Sequence, residues 1–214
     1  MQPAGENTNN KATQNPTAGV ILAAGVSARF GRPKQLLKLK NKHLVEWVLD
    51  SALMSQLQNV VLVLGHEYQE ILRILGARTN HPRLEVVINH RYLEGQSRSL
   101  TAGLLKVRHT HSSVMFLLAD QPLITSKTID RMLGRFWKSE KDICVPVCRG
   151  KRGNPTIFSR IMYEQLLAIH GDIGARDIIR ANPSRVLQIE VDDPLCFFDV
   201  DSEKDFTHLQ DLLT

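Results

Sequence analysis

Gly19-Val20-Ile21-Leu22-Ala23-Ala24-Gly25-Val26-Ser27-Ala28-Arg29-Phe30-Gly31-Arg32-Pro33-Lys34 is the stretch that decides how this chain reads. Val20 to Leu22 form an unbroken apolar run that opens on two β-branched residues, the pattern of a strand buried on both faces. Ala23, Ala24 and Gly25 follow with almost no side chain, leaving the backbone open to anything that lies against it. Such a loop turns N–H groups toward phosphate oxygens, and Arg29 and Lys34 add positive charge. The expectation is a strand running into a triphosphate cradle. It is not a P-loop, because five residues separate Gly25 from Gly31 and Arg32-Pro33 follows instead of Lys-Ser/Thr. The dinucleotide fingerprint G-x-G-x-x-G is absent as well.

Downstream, strand and helix patterns alternate. Helical spacing runs over Leu44–Leu53, Glu67–Leu75, Ser97–Val107 and Lys127 to about Lys138. Buried-strand runs occupy Asn59–Leu64, Leu84–Ile88, Val114–Leu118 and Ile143–Val147. This alternation predicts a three-layer α/β domain with a mainly parallel sheet, whose ligands bind beyond the carboxyl ends of the strands. After about Arg149 the pattern loosens into a short strand, two helices and extended pieces near Val186 and Phe197, read as a second lobe of the same domain. The expected organisation is a polar tail over residues 1–17 and one domain over 18–214. A nucleotide-binding part spans about 18–148 and an acceptor-binding part about 149–214.

Two groups of carboxylates stand where that sheet would place a site. Asp120 follows the apolar run Val114–Leu118, and Pro122 restricts Gln121 to extended geometry. Asp199-Val200-Asp201 comes late, just before Ser202, which reads as the cap of a helix over Glu203–Leu213. Either Asp120 or Asp201 also has a structural reading, as a turn residue or as a charge at a helix end. Glu94-Gly95-Gln96-Ser97-Arg98-Ser99-Leu100 precedes the third helix, with Ser97 a candidate cap.

The motif Leu22-Ala23-Ala24-Gly25-x-Ser27-x-Arg29-x-Gly31-x-Pro33-Lys34 closely resembles that of the MobA-like nucleotidyltransferases, which activate small phosphorylated or hydroxylated metabolites. Within them it is most similar to the molybdenum cofactor cytidylyltransferases. The resemblance runs from about Ala18 to Leu213. It implies that Leu22, Ala23, Ala24, Gly25, Ser27, Arg29 and Lys34 bind the nucleotide, joined by Gly95, Ser97 and Ser99. It implies that Arg29, Lys34 and Asp120 serve catalysis, and that Asp120 and Asp201 hold Mg²⁺, with Mn²⁺ as an alternative. Asp199 is a weaker ligand candidate. Arg149-Gly150-Lys151-Arg152-Gly153-Asn154-Pro155 and Gly171-Asp172-Ile173-Gly174-Ala175-Arg176 resemble the family's acceptor stretches. Gln121, Asn154, Pro155, Asp172, Gly174, Ala175 and Arg176 are therefore expected at the acceptor. The chain departs from the family at Phe30, where Met is usual, at Gln96-Ser97-Arg98, and at Ser202-Glu203, where Thr-Pro is more frequent.

The implied reaction transfers CMP from CTP to molybdenum cofactor, with a molybdenum hydroxylase as the client. Ala24 favours a pyrimidine, because the related guanylyltransferases carry Gly there. The alternatives are a cytidylyl- or guanylyltransferase acting on another phosphorylated small metabolite, or a non-catalytic cofactor carrier for a molybdoenzyme. Composition fits an enzyme with polyanionic substrates: net charge +5, 43% hydrophobic and 23% charged residues over 214 positions. The cations are scattered and only 6% of residues are aromatic, which disfavours nucleic acid. No segment has the apolar length to cross a bilayer, and no signal peptide opens the chain, so a cytoplasmic enzyme is expected. Cys144, Cys148 and Cys196 form neither a disulfide framework nor a zinc set and read as free thiols in a reducing compartment. His109 and His111 read as solvated loop residues.

Overall fold

A computed structural model describes residues 16–27, 30–171 and 174–213. Arg29 and Asp172 lie outside them, as do the first fifteen residues of the expected tail. The last two tail residues do not lie loose: the Pro16 carbonyl accepts from Ser112 N–H, and Thr17 begins the first strand with 1% exposure.

Among the described residues the main sheet has eight strands. Strand β1 (Thr17–Ala23) is its centre, and Ala18, Val20 and Ile21 are all 0% exposed, as a strand covered on both faces requires. A short hairpin, β2 (Lys38–Leu39) with β3 (Lys42–His43), leads into α1 (Leu44–Leu53). Strand β4 (Asn59–Leu64) pairs parallel with β1, Gly19 opposite Val60. Helix α2 (Tyr68–Leu75) returns the chain to β5 (Leu84–Ile88) at one edge. Helix α3 (Gln96–Val107) then crosses to β6 (Ser113–Leu118) on the opposite side of β1, Leu22 opposite Leu118. The direction of chain progression therefore reverses between β1 and β6, and the crevice at their carboxyl ends is the natural ligand position.

Helix α4 (Ser126–Phe136), capped by Thr125 Oγ1 accepting from Thr128 N–H, leads to β7 (Ile143–Cys148). The region after Arg149 is woven into the same sheet. Strand β8 (Lys151–Arg152) is a short antiparallel partner of β7. Strand β9 (Thr156–Ser159) inserts antiparallel between β6 and β7. Helices α5 (Tyr163–Leu167) and α6 (Arg176–Ala181) precede β10 (Val186–Glu190), which pairs parallel with β7. The piece near Phe197 is a 3-10 turn over Pro194–Phe197 and not extended chain. Helix α7 (Glu203–Leu212) closes the fold with Ser202 as its cap.

Alternation along β1 builds the three layers. Ile21 and Ala23 face a core with Val48, Leu49, Ile71 and Met132 from α1, α2 and α4. Ala18 and Val20 face a core with Leu100, Leu104, Tyr163 and Ile178 from α3, α5 and α6. A third cluster, Leu37, Leu39, Leu44, Val200 and Leu209, ties α7 to the β2–β3 hairpin and so brings the late acidic segment beside the first loop. His111 corrects the solvated-loop expectation: it is 6% exposed, and its carbonyl accepts from Arg160 and Tyr163. All three cysteines are free and buried, and burial pushes the Cys144 thiol up to about 12.

Candidate active site

Three separate segments meet at the switch point. The loop after β1 turns at Ser27, which adopts a positive φ of 54°. Its Oγ accepts from Lys34 N–H at 3.0 Å, and its carbonyl accepts from Phe30 N–H at 2.8 Å, so the loop folds back on itself. Pro33 leads into a 3-10 turn over Lys34–Leu36, which carries the Lys34 ammonium across to the strand-end carboxylate. Lys34 Nζ stands 2.5 Å from Asp120 Oδ2 and 3.0 Å from Asp201 Oδ1. One cation thus joins residues 86 and 167 positions away in sequence.

Burial alone would lower the Lys34 pKa, but Asp120 and then Asp201 outweigh it, and the ammonium is held above its ordinary value. Lys34 is therefore charged across the physiological range. Asp120 Oδ1, on the other side of the same carboxylate, is buried without a hydrogen-bond partner among the described residues. Val200 N–H donates to the Asp120 carbonyl at 3.0 Å, pairing the late acidic segment with the end of β6. The α7 cap fixes Asp201 in turn: Asp205 Oδ2 accepts from Ser202 Oγ at 2.7 Å and from Asp201 N–H at 3.2 Å.

Above this cluster opens a cavity of about 760 Å³. Its walls include the sequence-predicted Leu22, Ala24, Gly25, Ser27, Lys34, Gly95, Ser99, Asp120 and Asp201. Gly95 is held at φ 106°, a conformation only glycine takes freely, and it, not Ser97, occupies the cap position of α3. Ser97 is the second helical residue, 1% exposed, and its N–H donates to the Gly171 carbonyl. Ser99 Oγ accepts from Asn89 Nδ2 at 3.0 Å. Ala23 is buried behind the loop, at 1% exposure. Ala24 packs its methyl against Gly65, where an added Cβ would fall 2.8 Å from both Ala24 Cβ and Tyr92 Cβ. At 3% exposure that methyl presents little surface to the cavity.

Beside the large cavity lies a pocket of about 60 Å³ lined by Asn154, Thr156, Gly174, Ala175 and Arg176, and sharing Leu22, Gln96 and Leu118 with it. Four of the seven acceptor candidates therefore converge. Pro155 is buried next to them. Gln121 is 3% exposed, lines neither cavity, and donates from Nε2 to Asp199 Oδ1 at 2.8 Å. Desolvation and the Asp120 charge push Asp199 up to about 6. Gln35 and Gln96 were not expected at the site, although both line it. Gln35 stands next to Lys34 and Gln96 next to Gly95, and only that adjacency hints at either.

The donor set fits a divalent cation of the Mg²⁺ or Mn²⁺ kind. Asp120 and Asp201 are hard oxygen ligands that already approach one cationic centre, and Asp120 Oδ1 lacks a donor. Among the described residues no group of three or more His, Cys, Asp or Glu side chains converges.

Fold and site together define an α/β protein of the doubly wound kind, with Lys34 facing paired carboxylates at the switch point. The chain belongs to the MobA-like NTP transferase family, whose domain matches residues 19–186. It is 31% identical to nicotine blue oxidoreductase of Paenarthrobacter nicotinovorans over 86% of this chain and 91% of that one. It is 27% identical to a probable molybdenum cofactor guanylyltransferase of Thermococcus sibiricus over 60% of each. Rv0371c of Mycobacterium tuberculosis superposes with a TM-score of 0.81 at 27% identity, covering 92% of this chain and 98% of that one. A manganese complex of Rv0371c superposes at 0.77, with 26% identity and coverage of 92% and 99%. Among the described residues no helix is long and apolar enough to cross a membrane.

Proposed function

We propose that this nucleotidyltransferase moves CMP from CTP to molybdenum cofactor, releasing pyrophosphate, with Asp120 and Asp201 holding the divalent cation. The observation that carries the reading is the Lys34 ammonium shared by Asp120 and Asp201 at the floor of a cavity that opens on a small-residue loop. The terminal phosphate of the cofactor attacks the α-phosphorus of CTP; a new P–O bond forms as the bond to the β-phosphate breaks. No protein nucleophile is needed, so positioning and charge screening supply the catalysis.

The residues divide that work. Gly25, Ser27 and the N-terminal end of α3 receive the nucleotide, and Lys34, with Arg29, neutralises the phosphates and the departing pyrophosphate. A bound Mg²⁺ or Mn²⁺ would screen the repulsion between the attacking oxygen and the triphosphate. Asn154, Gly174, Ala175 and Arg176 face the acceptor, joined by Asp172. The likeness to a probable molybdenum cofactor guanylyltransferase of Thermococcus supports molybdenum cofactor as the acceptor, and the manganese complex of Rv0371c supports a divalent ion. A molybdenum hydroxylase in the cytoplasm is the proposed recipient of the product.

Pyrophosphate release from CTP, GTP and ATP, each with Mg²⁺ or Mn²⁺ and molybdenum cofactor, tests this. Release with CTP well above the other two is the expected result. Release with GTP alone would transfer the assignment to guanylyl transfer. Tight CTP binding without release from any nucleotide would leave a carrier as the better description.

A further inference from the structure

Gln35 is a buried amide with an unusual arrangement of partners. It is 3% exposed, yet it forms part of the wall of the large cavity. Its Nε2 donates to the Ala23 carbonyl at 3.1 Å and to the Gly25 carbonyl at 3.2 Å, on either side of Ala24. Its Oε1 finds no donor among the described residues. The orientation of the amide is fixed by these contacts, because the flipped form would set Oε1 against two carbonyl oxygens. A core amide kept only for stability would be expected to satisfy both ends. Here one end is spent entirely on the backbone of the loop and the other is left unpaired.

We propose that Gln35 is a positioning residue that turns the peptide planes of the 23–26 loop so that they present N–H groups to a phosphate chain; this rests on the nucleotidyltransferase reading. In a trans peptide the C=O and N–H point in opposite directions. With the Gly25 carbonyl drawn to Gln35, the Val26 N–H on the same peptide is turned away from it. Val26 lines the cavity, and among the described residues nothing accepts from its N–H. The Ala23 contact anchors the other side of the loop, so it cannot rotate as a unit. Gln35 also belongs to the 3-10 turn that carries Lys34. One short turn therefore supplies a cation and fixes the backbone donors that act beside it, an arrangement suited to a linear polyphosphate rather than to a neutral ligand.

The test is titration of the full chain with inorganic tripolyphosphate, read by calorimetry and by the backbone amide resonance of Val26. Wild type is expected to bind with a downfield shift of the Val26 amide. Gln35→Met removes the donor at similar volume without adding charge. It is expected to weaken tripolyphosphate about tenfold, the scale of two lost orienting hydrogen bonds, and to abolish the Val26 shift. Unchanged affinity in a folded Gln35→Met overturns the proposal. If that variant does not fold, wild type alone decides: a Val26 amide that does not respond to tripolyphosphate, or no binding at all, also overturns it. Pyrophosphate release is scored separately. Wild type that binds through Val26 but releases no pyrophosphate would sink the transferase reading and leave this one standing.

Discussion

The two halves of the site are built differently. The proposed nucleotide side is a cavity of about 760 Å³ whose walls are cross-linked: Lys34 to Asp120 and Asp201, Val200 to Asp120, Gln35 to the loop. The proposed acceptor side is a pocket of about 60 Å³ lined by Asn154, Thr156 and Gly174, near the contact of Ser97 N–H with the Gly171 carbonyl. Hydrogen bonds between distant segments fix the first in place. The larger cavity is thus tied together by more contacts between distant segments than the smaller one.

Four substitutions break or sharpen that contrast. The largest effect belongs to Lys34→Ala, which removes the shared cation. Turnover should fall by about 10²–10³, the scale of one lost electrostatic stabiliser, as measured by pyrophosphate release at saturating CTP. A loss below tenfold would remove Lys34 from the chemistry. Next comes Gly65→Ala, whose new Cβ would meet Ala24 and Tyr92 at 2.8 Å. Overpacking there should cost about 1–3 kcal/mol in denaturant unfolding and weaken CTP with it; unchanged nucleotide affinity would show that the wall position is not critical.

Asn154→Ala is expected to raise the KM for the acceptor several-fold, about 1 kcal/mol for a lost hydrogen bond, while the Kd for CTP stays put. Equal effects on both ligands would erase the division of the site into two halves. The smallest change is in pH dependence. Asp199 has its pKa raised to about 6, so the folded state favours the protonated carboxyl. Between about pH 4 and 6 the folded chain holds a proton the unfolded chain has lost, and stability falls as pH rises through that window. Asp199→Asn should flatten that slope and raise Tm slightly at pH 7.5. The gain should be under about 1 kcal/mol, because Asp199 is only partly withdrawn from solvent, which screens what remains open. A Tm gain that grew on acidification would reverse the sign of the argument.

Much of the nucleotide half is legible in sequence, because its residues sit in contiguous motifs at strand ends. The helix over Leu44–Leu53 and the strands Asn59–Leu64 and Leu84–Ile88 have the bounds that their periodicity predicts. Ser202 caps α7 as its position before Glu203 suggests. What fails to show is whatever depends on a partner far along the chain. Strand β9 is four residues long, too short to display a period, and it is defined by pairing with β6 and β7. His111 reads as polar loop because nothing nearby announces that Arg160 and Tyr163 close over its carbonyl. Ser97 reads as a cap because serine prefers that position, but Gly95 takes it through its positive φ.

By itself the sequence determined the alternating α/β order, the apolar strand leading into a small-residue loop, and the identity of the cations and carboxylates. Local patterning suffices for these, since periodicity and residue size act within a few positions. Only the tertiary structure decided that Lys34 lies between Asp120 and Asp201, that Gln121 serves Asp199 and not a cavity, and that Gln35 holds the loop. Those are distances between segments up to 167 positions apart, set by sheet order and helix packing, and no local pattern encodes them.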